Sequence, residues 1–263
     1  MGVLNVTPDS FSDGGRYPTP EHAIAAGCAM VAEGADIIDI GGESTRPGAA
    51  PVSPFDEQSR ILPVIRALSR ETRISVDTRN GATMRAALDL GATIINDVSA
   101  LRHDPDAAGI LAANDCAVIL MHMRGTPQTM MAMKHYENVP ADVTSELAER
   151  VAWAESVGIA RHRLMLDPGI GFAKGLSENL AMLRGLSVLA ALGHPLVVGV
   201  SRKRFLGTLA AEDDPSALGA ASLAAGLFAA SQGAAILRVH DVAATVQALR
   251  VWRALLGSGM EAG

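Results

Sequence analysis

Aromatic side chains are scarce in this sequence: five Phe, two Tyr and two Trp make up 3% of 263 residues, while 49% of the chain is hydrophobic. The core that a chain of this length can bury must therefore be built mainly from Ala, Leu, Val and Ile. Cysteine is scarcer still, at Cys28 and Cys116 only. Neither has a second Cys at metal-ligand spacing, which argues against a disulfide framework or a zinc site and reads both as packed thiols in apolar surroundings. Positive charge is also in short supply, and a formal net charge of −6 gives no general attraction for nucleic acid. No uninterrupted apolar run approaches the roughly 20 residues of a membrane span. The opening MGVLNVTPDSFSDGG has neither the basic region nor the apolar stretch of a signal peptide, so the cytoplasm is the expected location. No HExxH or comparable cluster occurs, and His22, His103, His135, His162 and His194 receive no catalytic role.

What the chain does contain is repetition. Short branched apolar runs recur eight times, at residues 2–6, 36–40, 73–77, 93–98, 117–121, 163–167, 196–200 and 236–239. Helical stretches with apolar residues at three- and four-residue spacing fall between and after them, at 20–33, 54–70, 80–90, 105–113, 142–156, 177–192, 215–232 and 242–255. Eight such units predict one closed (β/α)₈ barrel, an α/β fold in a single domain over residues 1–263, rather than an open sheet. Ser53 is placed to cap the second helix, which carries Asp56 and Glu57 in its first turn. Three connections are too long to be turns, at 7–19, 41–54 and 122–140. All three leave the C-terminal ends of strands, where barrel enzymes keep their chemistry.

Polar residues stand where the apolar strands stop: Asn5, Asp39, Asp77, Asn96 with Asp97, His122, Asp167, Ser201 with Lys203, and Arg238 with His240. Singly, each has a plain reading: Asn5 can satisfy a loop, Asp77 can cap the helix near Asn80, and His122 or His240 can be structural. A barrel gathers all of them around one mouth, and that joint placement defines a candidate site. Asp167, in LMLDPGIGF, can accept paired hydrogen bonds from the N–H and NH₂ edge of a heterocycle, with Asp77 and Asn96 reaching other ring nitrogens. Arg238 and His240, with Lys203 nearby and Arg46 swinging in from the second connection, can hold a pyrophosphate and offset charge as it leaves. Among the methionines around the fifth strand, Met121 is the candidate to line a flat ligand.

Eight motifs then occur in order: NVTPDSFSDGG at 5–15, DIGGESTRPG at 39–48, SVDT at 75–78, INDVS at 95–99, MHMRGTP at 121–127, DPGIGFAK at 167–174, VGVSRKRF at 198–205 and RVHDV at 238–242. Together they span nearly the whole chain, and in them it resembles the dihydropteroate synthase family. The resemblance implies condensation of a 6-hydroxymethyl-7,8-dihydropterin pyrophosphate with p-aminobenzoate by SN1-like substitution. It implies that Asp77, Asn96, Met121, Asp167, Phe172 and Lys203 bind the pterin, and that Asn5, Arg46, Arg238 and His240 bind the pyrophosphate. Thr45, Arg46, Pro47, Phe172 and Ser201 are implied around p-aminobenzoate, where sulfonamides would compete. Asp77, Lys203, Arg238 and His240 are implied to carry catalysis, and Mg²⁺ to bridge the pyrophosphate and Asn5. A homodimer is implied as well, with the helix at 215–232 as a candidate interface.

Family members carry a segment before the first barrel strand, with a hairpin over the barrel's bottom, and residues 175–177 and 128–140 also depart from the family pattern. The expected effect is on stability and loop detail, because the bottom lies opposite the site. Three rival readings follow from the same barrel. A corrinoid-dependent pterin methyltransferase would not need the Arg238 and His240 phosphate site, and a noncatalytic pterin-binding paralogue would not need room for a second substrate. A sugar-phosphate isomerase or aldolase would need a general base or Schiff-base lysine, a role for which Lys203 has no independent support.

Overall fold

The computed structural model describes residues 1–7, 19–45 and 48–257. Within these residues eight strands form one sheet: β1 (Gly2–Asn5), β2 (Ile37–Gly41), β3 (Arg73–Asp77), β4 (Ile94–Asp97), β5 (Ala117–Met121), β6 (Leu164–Asp167), β7 (Leu196–Val198) and β8 (Ala234–Leu237). Each pairs in parallel with the next in chain order. A parallel bridge from Gly2 to Val239, with Val3 N donating to Val239 O and Val239 N to Met1 O, joins β8 to β1 and closes the barrel. The (β/α)₈ barrel expected from the repeats is thus the architecture found.

The period-two alternation of each strand sorts its residues into two cores. One parity (Ile38, Ile40, Ile74, Val76, Ile95, Val118, Leu120, Leu164, Leu166, Leu196, Val198) faces the helices and joins the large outer core. The other parity fills the barrel, beginning at its bottom with Met1, Ile37, Ile94, Ile119 and Val197, against which Met165 and Ile236 pack. Two residues further along the same strands stand Asp39, Asn96, Met121, Asp167 and Arg238. An apolar floor and a polar mouth are therefore consecutive layers of one inner face.

Among the described residues ten α-helices flank the strands: α1 (Pro20–Ala32), α2 (Pro54–Leu68), α3 (Gly81–Asp89), α4 (Ala107–Ala112), α5 (Val139–Ser156), α6 (Leu176–Arg184), α7 (Leu186–Ala190), α8 (Arg204–Ala210), α9 (Gly219–Ser231) and α10 (Val242–Leu255). Ser53 caps α2 as expected, its Oγ accepting from Asp56 N at 3.1 Å. The cap of α3 differs from the Asp77 alternative: Asp104 Oδ2 accepts from Gly81 N at 2.7 Å, which leaves Asp77 to the barrel interior.

The helix expected over 177–192 is two, α6 and α7, broken at Gly185. A Cβ there would lie 2.3 Å from Pro140 Cγ, so α5 presses against bare backbone at the break. The stretch 215–232 begins as a short 3₁₀ turn capped by Asp214, with α9 only from Gly219, and α8 is an additional helix after Lys203. Both cysteines are free, but the expectation that both are packed holds only for Cys116, since Cys28 lies on an exposed position of α1. The Ala-rich α1 buries Ala23 and Gly27 and packs Ile24, Ala26, Met30 and Val31 against the core, which leaves Cys28 on its outer side.

Candidate active site

The centre of the mouth is one cation held by two carboxylates. Arg238 Nε donates to Asp39 Oδ2 at 2.5 Å, and Arg238 Nη2 donates to Asp77 Oδ2 at 2.8 Å. Asp39 is fully buried, also accepts from Asn96 Nδ2 at 3.3 Å, and has an Oδ1 with no hydrogen-bond partner among the described residues. Burial raises Asp77 above the usual carboxylate range; Arg238 opposes that rise and Asp39 adds to it. Burial disfavours the Arg238 charge, yet Asp39 and Asp77 hold its guanidinium above its ordinary value. The guanidinium is therefore always charged, and its orientation is fixed by the two strands opposite.

A second cation lines the neighbouring wall. Lys203, the cap residue of α8, donates from Nζ to Ile170 O and lies 5.1 Å from the centroid of the Phe172 ring. Burial lowers its pKa to about 8, with the Asp167 charge working in the opposite direction. Burial also raises Asp167, which Lys203 and a hydrogen bond from Gly169 N at 2.7 Å counteract. Met121 lies with Val98, Met123, Met130 and Ala173 in a small apolar cluster against which Phe172 packs. This buried apolar cluster and the Phe172 ring stand beside carboxylate and amide groups, a combination suited to a polar heterocycle.

Asn5 ends β1 beside Gly41, where a Cβ would approach Asp77 Cβ at 3.4 Å and Asn5 Oδ1 at 3.8 Å. Gly41 thus sets bare backbone against both Asn5 and Asp77. His240 and Ser201 form a pair, with the Ser201 hydroxyl 3.0 Å from His240 Nδ1 and 3.2 Å from its backbone N–H, which it accepts. Thr45 stands half-buried in the connection after β2. Arg46 and Pro47 lie outside the described residues, as does most of the first long connection.

Asp97, which shares its motif with Asn96, does not join the mouth. One residue on, it has the opposite parity and turns away from the interior, accepting from Ser99 N and Ser99 Oγ at 2.7 Å and from Leu101 N at 3.0 Å. Sequence reasoning gave Asp39 no definite role and missed Glu43 and Arg79. The signal for Asp39 is a charge in the middle of the apolar strand IIDIG, where only a buried partner makes it tolerable. Glu43 binds Arg79 through two hydrogen bonds, at 2.8 and 3.0 Å, and accepts from Val52 N at 3.1 Å. Both stems of the second long connection are thereby anchored to the start of the β3–α3 turn.

A closed parallel barrel with paired charges at the C-terminal ends of its strands has the frame of a barrel enzyme, and the family described as "Pterin binding enzyme" matches residues 1–240, which places the chain among the pterin-binding barrels. The chain is 46% identical over 260 residues to dihydropteroate synthase of Escherichia coli (strain K12), covering 98% of this chain and 92% of that one. A dihydropteroate synthase structure from Xanthomonas albilineans with 4-aminobenzoic acid superimposes with a TM-score of 0.92 at 48% identity, covering 97% of this chain and 92% of that one. One from Yersinia pestis with a sulfonamide drug complex gives 0.93 at 41% identity, with 98% and 94% covered. The chain belongs to the dihydropteroate synthase family.

Proposed function

We propose that this chain condenses 6-hydroxymethyl-7,8-dihydropterin pyrophosphate with p-aminobenzoate to give 7,8-dihydropteroate and pyrophosphate, a step of folate biosynthesis. The observation that supports the reading is the inner layer itself, in which Asp77, Asn96, Asp167 and Lys203 share one mouth with Arg238 and His240.

The pterin ring presents its N–H and NH₂ edge to Asp167 and reaches Asp77 and Asn96 with its other nitrogens, lying over Met121 beside Phe172. Asn5, Arg238 and His240, with Arg46, bind the pyrophosphate. The bond from the exocyclic methylene carbon to the bridging oxygen breaks, and its electron pair leaves with pyrophosphate. Arg238 and His240 stabilise that charge, while Asp77 offsets the cation spread into the ring. The amine of p-aminobenzoate, bounded by Thr45, Arg46, Pro47, Phe172 and Ser201, attacks the carbon and then loses a proton. No enzyme nucleophile is required. Sulfonamides occupy the same subsite.

Asn5, whose Oδ1 lies beside the bare backbone of Gly41, would be the protein's ligand to a Mg²⁺ that otherwise keeps phosphate and water oxygens. When bound, Mg²⁺ neutralises leaving-group charge. The exposed free thiol of Cys28 suits a reducing compartment and so the cytoplasm. No helix of the described residues is long and apolar enough to cross a membrane. Two copies associate through the α9–α10 face, where Leu223, Leu227, Ala248 and Trp252 line a groove flanked by Val251 and Leu255, 57% and 79% exposed.

Chromatography of a reaction with both substrates and Mg²⁺ tests the reading. Equal formation of dihydropteroate and pyrophosphate, lost when either substrate is omitted, is expected. A folded chain that binds the pterin pyrophosphate but forms no dihydropteroate would overturn it.

A further inference from the structure

Behind the wall that carries Asp167 and Phe172 lies a buried polar cluster with no part in the reaction steps above. Lys174 is 2% exposed, and its Nζ donates to Gly169 O at 3.1 Å, to Phe172 O at 3.2 Å and to His122 Nδ1 at 2.9 Å. His122 Nε2 lies 3.0 Å from Glu146 Oε2. With Lys174 protonated its ammonium only donates, so Nδ1 accepts, and the imidazole proton sits on Nε2 and is given to Glu146. The electrostatics agree: burial and the Lys174 charge lower His122 to about 4, keeping it neutral. Burial would raise Glu146, but hydrogen bonds from His122 and Arg124 bring it down to about 2. Arg124 Nε donates to Glu146 Oε1 at 2.9 Å, its Nη1 to His135 O, and its guanidinium carbon lies 3.9 Å from the centroid of the Tyr136 ring. The Tyr136 hydroxyl donates to Ala173 O at 3.1 Å.

The connection after β6 is thus held from both sides. Its carbonyls at Gly169 and Phe172 accept from Lys174, that of Ala173 from Tyr136, and that of Ile170 from Lys203 on the site side. The backbone needs such holding, because Gly169, Gly171 and Ala173 all have positive φ, at 64°, 86° and 49°. Gly169 also packs directly on β5, where an added Cβ would lie 1.9 Å from His122 O. An apolar side chain would fill the Lys174 position without desolvating a charge, and burial has already lowered that lysine to about 7. What an apolar residue cannot do is orient three acceptors at once.

We propose that Lys174 is a positioning residue for the condensation: through His122 and Glu146 it locks the connections after β5 and β6 together and so aims Asp167, Phe172 and the carbonyl that holds Lys203. The proposal rests on the reaction assigned above.

The test compares Lys174→Met, Tyr136→Phe and, as a control, Arg163→Met. Arg163 donates to Cys116 O and Leu111 O, each at 2.7 Å, at the opposite end of the barrel. Pterin-pyrophosphate affinity is read by calorimetry, the p-aminobenzoate KM and kcat by product formation, and Tm alongside. Lys174→Met is expected to weaken pterin affinity and raise KM, each on the order of tenfold, while kcat falls further, as for a displaced reacting group. Tyr136→Phe, which keeps the ring, should move the same quantities on the order of threefold with little loss of Tm. Arg163→Met should lower Tm with affinity and KM unchanged. An active wild type whose Lys174→Met and Tyr136→Phe variants keep both constants within about twofold would overturn the proposal, as would changes that merely track Tm across all three. If Lys174→Met does not fold, Tyr136→Phe decides. A wild type that forms no dihydropteroate sinks the reaction assignment instead, and the pterin affinities then decide this inference alone.

Discussion

Arg238 Nε and Asp39 Oδ2 meet 2.5 Å apart across the barrel, although 199 positions separate them in the chain. The pair sits where the apolar floor gives way to the polar mouth, and Asp77 completes it from the next strand. Removing Asp39 takes away the shorter of the two carboxylate contacts and leaves Asp77 as the carboxylate on the buried guanidinium. Asp39→Ala is therefore expected to destabilise the fold by about 2–3 kcal/mol, more than Asp39→Asn, which keeps an acceptor oxygen. Denaturant unfolding measures both, and a loss below about 1 kcal/mol for Asp39→Ala would show that the pair contributes little.

Gly169 makes a different kind of demand. Its φ of 64° and the 1.9 Å approach of an added Cβ to His122 O leave no room for a side chain. Gly169→Ala must move either the β5 terminus or the turn that caps Asp167, at a cost of about 2–4 kcal/mol. Loss of pterin binding in calorimetry, with the barrel's circular dichroism retained, is the expected pattern. Wild-type affinity would mean that the Asp167 cap does not orient the ligand.

The pH dependence of ligand binding should expose Lys203. Burial lowers its pKa from 10.5 to about 8 in the fold, so it is a cationic donor below that value and neutral above it. Pterin-pyrophosphate affinity should fall as pH rises through about 8, and Lys203→Met should bind weakly with that limb removed. Stability moves the other way: between about 8 and 10.5 the unfolded chain keeps a proton that the fold has released, so rising pH favours folding in this window. Titration calorimetry across this range, with Tm measured in the same buffers, separates the two.

Acid should act through His122. Burial and Lys174 lower it from 6.5 to about 4, so the unfolded chain takes up a proton that the fold refuses. Its contribution is fully present above pH 6.5 and is lost as pH falls through that window to about 4. The loss is on the order of 3 kcal/mol for a group this deeply buried. His122→Gln should start less stable at neutral pH and show a shallower fall in Tm between those limits; an identical slope would remove His122 from the acid response.

The α9–α10 face gives a test of assembly. Val251→Glu with Leu255→Glu places two charges on its exposed apolar ridge, and light scattering is expected to show dimers of the unaltered chain and monomers of this variant. An unaltered chain that stays monomeric at high concentration would refute the association outright.

The sequence by itself determined the barrel, because alternating strand and helix periods with short connections leave few other ways to bury so many Ile, Val and Leu. It also determined which end carries the chemistry, since Asn5, Asp77, Asn96, Asp167 and Arg238 each stand at the close of an apolar run. Local chemistry sufficed for the Ser53 cap. Tertiary structure alone decided which of two adjacent polar residues faces inward: Asn96 meets Asp39, whereas Asp97 turns outward to Ser99 and Leu101. It alone broke 177–192 at Gly185, where Pro140 of α5 presses on the backbone. It also joined Lys174 to His122 and Glu146, and Glu43 to Arg79, pairings that depend on which strands lie side by side. The physical reason is common to these cases. Periodicity and caps act within a few residues of chain, whereas a buried charge is tolerable only beside a partner that the fold delivers from far away in sequence.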